Sequence, residues 1–197
     1  MSSIAITMNK LVAIGALLLC SALMFSGSAT AAKVAGVTLD DTMMIGEQSL
    51  VLNGAGIRKK LFIKLYVGSL YTAEAGSNAS DIVAADSPMA IRLNLISDLL
   101  TRKKMVTALM DGFNKSTGGN LALIQAGIDQ LISVLPEKFA FGTDMALAYE
   151  PGIGTHLMEG DKSISVIEGL AFKQALFGIW LSDQPAQKSL KKAMLGQ

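Results

Sequence analysis

The stretch Asn53-Gly54-Ala55-Gly56-Ile57-Arg58-Lys59-Lys60-Leu61-Phe62-Ile63-Lys64-Leu65-Tyr66-Val67-Gly68-Ser69-Leu70-Tyr71 decides the reading of the fold. Within it Leu61, Ile63, Leu65 and Val67 alternate with Lys60, Phe62, Lys64 and Tyr66, the period of two expected of a strand with one buried face. The glycines of Asn53-Gly54-Ala55-Gly56 read as a hairpin-type turn, with one strand running from Arg58 to about Tyr71. They lack the third glycine of a dinucleotide fingerprint and lead into a strand, not a helix, so phosphate binding there is set aside.

Working outward, the same alternation returns in Met89, Ile91, Leu93 and Leu95 against Arg92 and Asn94, and again in Met145, Leu147 and Tyr149. These read as neighbouring antiparallel strands. Between them the spacing turns helical. Met105, Val106, Leu109, Met110 and Phe113 share one stripe after Thr101, a plausible N-cap, and that helix ends near Asn114 before Gly118-Gly119. A second helix carries Leu121, Ile124, Ile128, Leu131 and Leu135 and stops at Pro136. A third covers 170–181 with Phe172, Leu176, Ile179 and Trp180 on its buried side, and a short one covers 186–195. Turns are expected at Pro151-Gly152-Ile153-Gly154 and Glu159-Gly160-Asp161-Lys162. Strands, two helices, more strands, then helices describe an α+β domain, a largely antiparallel sheet with helices layered on one side.

The N-terminus has a separate logic. A short polar start with Lys10 precedes an uncharged apolar run at 11–25, too short for a comfortable membrane span, and then the small residues Ser26-Gly27-Ser28-Ala29-Thr30-Ala31-Ala32. Residues 1–31 therefore read as a cleavable secretory signal peptide, cut after Ala31, and 32–197 as one domain in the periplasm or outside the cell. Leu19 before Cys20 is bulky where lipoprotein processing prefers a small residue, so no stable membrane anchor is expected after cleavage. Removing Lys10 with the signal leaves 16 basic residues against 16 acidic ones, with no long-range pull toward nucleic acid or anionic lipid. Cys20 is the only cysteine and leaves too, so stability must come from packing. His156 is the only histidine and no Gly-x-Ser-x-Gly elbow is present, which argues against a zinc site and a serine hydrolase. No cofactor is expected. The basic runs at 102–104 and 191–192 read as solvated helix faces. Met105 and Met110 could line an adaptable apolar pocket.

Taken in order, several pieces resemble one family: Leu52 to Arg58, Phe62 to Tyr71, Ile91-Arg92-Leu93, Tyr149-Glu150-Pro151-Gly152-Ile153-Gly154-Thr155, and Phe172 through Ile179-Trp180-Leu181 to Leu190-Lys191-Lys192. The succession looks like the bacterial exported chalcone isomerase-like proteins over the whole of 32–197. That resemblance implies an open-faced β-sandwich, a large antiparallel sheet backed by helices. It also implies a choice of activities, because the family includes enzymes that cyclise chalcones, fatty-acid-binding relatives and members without an established reaction.

The resemblance places Arg58 where the enzymes carry an arginine at the mouth of the ligand cleft. A guanidinium suits a phenolate or a fatty-acid carboxylate equally. Tyr66 falls where they carry a hydroxyl that orders a water, and Lys173 near a hydroxyl of the penultimate helix. The tyrosine and asparagine expected on the helix at 101–108 are absent. Arg92 is either a solvated or cleft-lining residue or a second anion site. Arg58 and Tyr66 have the same parity, and on one straight strand eight residues separate them by about 26 Å, a span an acyl chain can bridge. The expectation is a non-catalytic domain binding a small apolar or acidic ligand, a fatty acid or a phenolic, through Arg58, Tyr66, Arg92 and Lys173. The alternatives are an intramolecular lyase acting on a chalcone-like phenol or enone, and an interaction module with a vestigial pocket whose protein partner the sequence does not name.

Overall fold

The deciding stretch is a hairpin, and its turn lies elsewhere than expected. The computed structural model describes residues 32–197, so the expected signal segment, with Cys20 and its cleavage site, lies outside the described residues. After a two-stranded ribbon of β1 (Lys33–Val34) and β2 (Val37–Thr38), the chain forms β3 (Thr42–Ile45), β4 (Gln48–Lys60) and β5 (Ile63–Thr72). Strand β4 runs straight through the glycines expected to turn, with only a register shift between Leu52 and Gly54. The turn is Leu61-Phe62, between the paired residues Lys60 and Ile63. The expected single strand from Arg58 to Tyr71 is thus the end of one strand and the whole of the next.

The glycines serve packing. A Cβ on Gly54 would come within 2.3 Å of the Ala193 carbonyl oxygen, and one on Gly56 within 2.7 Å of the Ala193 Cβ. Their absent side chains let the last helix lie directly on the sheet. The alternation at 60–64 also misleads, because Leu61 and Phe62 are solvent-exposed at the tip. From Tyr66 onward β5 is buried on both faces, Tyr66 and Leu70 toward the helices and Tyr71 toward the other side.

The remaining elements follow as α1 (Ala79–Ala84), β6 (Met89–Leu95), α2 (Arg102–Thr117), α3 (Gln125–Ser133), β7 (Asp144–Glu150), β8 (Gly154–Glu159), β9 (Lys162–Ile167), α4 (Leu170–Leu181) and α5 (Lys188–Met194). Strands β3 to β9 form one seven-stranded antiparallel sheet in chain order. The turns at Pro151 and Gly160 join β7 to β8 and β8 to β9, as expected. Thr101 caps α2, its Oγ1 accepting from the Lys104 N–H at 3.4 Å, and Gly118 ends that helix at φ 62°. Helix α3 starts later than its apolar spacing suggested, at Gln125, after a turn through Leu121 to Ile124.

The main core lies between the sheet and the helices and joins Leu70, Ile91, Phe113, Ile128, Leu147 and Leu176. The sheet's other face holds a second, smaller cluster of Met43, Ile45, Leu50, Tyr71, Ala146 and Met158. The sheet is curled enough that the β3–β4 turn reaches the end of β7, where Gly46 lies against the Glu150 carboxylate. This is the expected α+β architecture of a large antiparallel sheet with helices on one side. Residues 32–197 belong to one compact unit.

Candidate functional site

Moving the turn to Leu61-Phe62 changes the geometry of the two residues of most interest. Arg58 and Tyr66 are not eight residues apart on one strand; they are direct cross-strand partners of β4 and β5. Such partners have Cβ atoms about 4.5–5.5 Å apart, so one small anionic group can reach both. Tyr66 is buried, and its hydroxyl oxygen accepts a hydrogen bond from the Trp180 Nε1–H of α4 at 2.9 Å. Burial pushes the Tyr66 pKa above its usual 10.0, while the Trp180 bond and the Arg58 charge pull it partly back. At neutral pH it is a protonated phenol. With the indole donating to its oxygen, its own proton is free to be given to a ligand.

Arg58 is held from the start of α5. Its Nη1 donates to the Lys59 carbonyl at 2.7 Å and to Gln187 Oε1 at 3.1 Å. Gln187, the residue preceding α5, also accepts from the Lys59 N–H at 2.8 Å and donates through Nε2 to the Ile57 carbonyl at 3.0 Å. One amide side chain thus bonds the strand on both sides of Arg58 and fixes the guanidinium beside Tyr66.

Inside Tyr66 and Trp180 lies a cavity of about 40 Å³. The sheet contributes Leu93, Met145, Leu147 and Leu157 to its wall, helices α2 and α3 contribute Met105, Leu109 and Leu131, and Leu135 comes from the segment after α3. Tyr66 and Trp180 are the only lining residues with a polar side-chain atom. The arrangement is an apolar chamber with a hydroxyl donor at its head and a guanidinium beside that hydroxyl. It can bind an acid with an apolar tail. Met105 is part of the wall as expected; Met110 is not. A larger concavity of about 480 Å³ lies between α1, the end of α2 and α4, but it is open to solvent and touches neither Arg58 nor Tyr66.

The other two expected residues lie elsewhere. Arg92 points to the sheet's opposite face, where its Nε donates to both Asp144 carboxylate oxygens at 2.8 and 3.0 Å and its Nη2 to Asp144 Oδ2. Its Nη1 reaches Asp40 at 3.3 Å. These carboxylates raise the Arg92 pKa further and occupy its hydrogen-bonding fork. Lys173, on α4, is fully buried, and its Nζ donates to the carbonyls of Ile82, Val83 and Ala85 at 3.1, 2.8 and 2.7 Å. It therefore caps the C-terminal end of α1, with its Nζ 5.5 Å from the Tyr149 ring centre. Burial lowers its pKa to about 8, against an upward pull from Asp86.

His156 sits between Ser163 Oγ, 3.0 Å from Nδ1, and Glu150, 3.4 Å from Nε2, and it too is outside the cavity wall. Among the described residues no group of three or more His, Cys, Asp or Glu could hold a metal. Sequence reasoning missed two members of the site, Trp180 as the partner of Tyr66 and Gln187 as the clamp on Arg58. A buried tyrosine needs a hydrogen-bond partner, and the only tryptophan on an apolar helix stripe was a findable candidate. Nothing in the spacing pointed to Gln187.

Comparison with known proteins bears on the fold and the family. No match was found among curated protein sequences. The crystal structure of a fatty-acid binding protein from Arabidopsis thaliana is similar to this chain, with a TM-score of 0.65 at 17% sequence identity, over 81% of this chain and 92% of that one. That likeness shows a shared fold. The model of the chalcone isomerase-like family matches residues 31–196, which is essentially every residue described above, and the chain belongs to that family.

Proposed function

We propose that this protein binds a fatty acid, or an apolar ligand with a comparable acidic head, and performs no reaction on it. The observation that carries the reading is the Tyr66 hydroxyl in the wall of an otherwise apolar cavity, with Arg58 as its cross-strand partner. In this reading the ligand carboxylate pairs with the Arg58 guanidinium and accepts the Tyr66 hydroxyl proton, while the acyl chain lies between sheet and helices. The cavity of about 40 Å³ holds only the start of such a chain. Longer chains are admitted by rotation of Met105 and Met145, whose flexible side chains form opposite walls.

Two further observations support the reading. Helix α2 gives the cavity only Met105 and Leu109, with no donor to activate a phenol or stabilise an enolate. The Arabidopsis neighbour is described as a fatty-acid binding protein. Export belongs to the same proposal and rests on the residue order of 1–31, with the periplasm or the extracellular space as the address. Native mass spectrometry of protein purified from the exporting compartment tests it. The expected result is a co-purifying acid of fatty-acid mass that is lost in Arg58→Ala. An empty protein with the same fatty-acid affinity in Arg58→Ala refutes the proposal.

A further inference from the structure

The turn between β4 and β5 has a composition that neither the fold nor the ligand site explains. Leu61 is 86% exposed, Phe62 100% and Ile63 43%. Leu61 also has φ +55°, at the first position of a two-residue hairpin loop, where glycine is the usual occupant. A branched side chain there costs backbone strain, and the apolar groups at the tip gain nothing from water.

Lysines surround this tip. Lys59 and Lys64 are cross-strand partners just below it, and Lys60 pairs with Ile63. Further apolar side chains stand at the same end of the sheet. Leu99 and Phe141 are exposed, on loops joined to the strand ends by the Ile96 N–H to Leu65 carbonyl bond at 3.0 Å and the Gly142 N–H to Leu95 carbonyl bond at 2.9 Å. Acidic groups near these loops are Asp98 and Glu137, and the neighbouring β8–β9 turn carries Glu159 and Asp161. The hairpin from Arg58 to Lys64 contains none.

We infer that the β4–β5 hairpin tip is a docking element for an anionic phospholipid bilayer. Leu61 and Phe62 enter the interfacial layer, and Lys59, Lys60 and Lys64 lie against the anionic headgroups, their stems running along the apolar surface. Charge complementarity selects this occupant over a neutral apolar protein surface. Docking of this kind is peripheral, and no described helix is long and apolar enough to cross a membrane. The balanced charge of the chain is no obstacle, because three of its lysines are gathered at one tip. Arg58 is two residues before Lys60 on the same strand, so a docked tip brings the carboxylate-binding pair to the membrane surface. That last consequence rests on the acyl-binding reading; the docking itself does not.

The test is co-sedimentation of residues 32–197 with vesicles of equal parts phosphatidylcholine and phosphatidylglycerol, and with pure phosphatidylcholine vesicles. The expected result is binding to the mixed vesicles that weakens with added salt, and far less binding to the neutral ones. Leu61→Ser/Phe62→Ser should weaken binding at least tenfold. Replacing the three lysines by glutamine should weaken it roughly a hundredfold, about fivefold for each charge removed. All of these positions are exposed, so near-ultraviolet circular dichroism should match the parent protein. Absence of binding to either vesicle overturns the inference, as does equal binding by Leu61→Ser/Phe62→Ser. A protein dimer that this double variant dissolves, without vesicle binding, assigns the tip to a second copy and also overturns it. Soluble fatty-acid affinity, measured separately by calorimetry, should be unchanged in the double variant. If the parent docks on vesicles but binds no fatty acid, the acyl reading fails and the docking stands.

Discussion

Replacing Tyr66 by phenylalanine removes one oxygen and tests the head of the site. The ring remains, so the surrounding leucines and methionines keep their contacts and little cavity term arises. What changes is the Trp180 Nε1–H, which donates to that oxygen at 2.9 Å in a buried setting and would have no acceptor. Leaving a buried donor unpaired costs about 1–3 kcal/mol, and the variant should lose that much stability in urea unfolding at neutral pH, with an unchanged slope. A second signature lies in its pH dependence. The folded Tyr66 pKa is raised above 10.0, so the folded chain keeps a proton that the unfolded chain releases. Wild-type stability should therefore fall as the pH rises past 10, and Tyr66→Phe should show less of that fall. Unfolding free energies within a few tenths of a kcal/mol of wild type at neutral pH would refute the claim that the hydroxyl anchors Trp180.

Three further outcomes follow from the packing. Gly54→Ala would press a methyl against the backbone at Ala193 and should cost about 1–3 kcal/mol, with faster amide hydrogen exchange confined to α5 and its neighbours. Lys173 has a folded pKa of about 8 against 10.5 unfolded, so between these values the unfolded chain holds the extra proton and stability rises with pH. From pH 8 to 10 that rise should be on the order of 2 kcal/mol in thermal or urea unfolding, and Lys173→Met should abolish it. Arg92→Gln breaks the charge-assisted bonds to Asp144 and should cost about 1–3 kcal/mol in stability while leaving fatty-acid affinity, read by calorimetry, unchanged.

Particular residues explain what could and could not be read in advance. Met89 to Leu95 and Met145 to Tyr149 alternate cleanly because one parity faces the helices, and both became strands. Thr101 with Gly118 marked α2, and Phe172 with Trp180 marked α4, because caps and apolar stripes are local properties. The stretch from Asn53 to Lys64 resisted for a physical reason: glycine admits both a turn and the close approach of a helix, and only the position of α5 distinguishes the two. Leu61-Phe62 reinforced the error, since nothing local suggests a turn made of two large apolar residues. That one displacement of the turn decided the site, converting a separation of about 26 Å into a cross-strand pair. Arg92 and Lys173 were named for their chemistry, and that chemistry is spent on Asp144 and on the carbonyls of α1. Neither partner could be inferred without the three-dimensional arrangement, because each is at least 50 residues away along the chain.

Recognition of a carboxylate by Arg58 and Tyr66 is the step on which the proposed ligand binding turns. Calorimetric titration of wild type and Arg58→Ala with a fatty acid and with the alcohol of the same chain length isolates that recognition from burial of the tail. The predicted result is at least tenfold tighter binding of the acid by wild type, for a charge-assisted bond of about 1.5–3 kcal/mol, and no preference in Arg58→Ala. Equal affinity of wild type for acid and alcohol, or a preference that survives in Arg58→Ala, would contradict it.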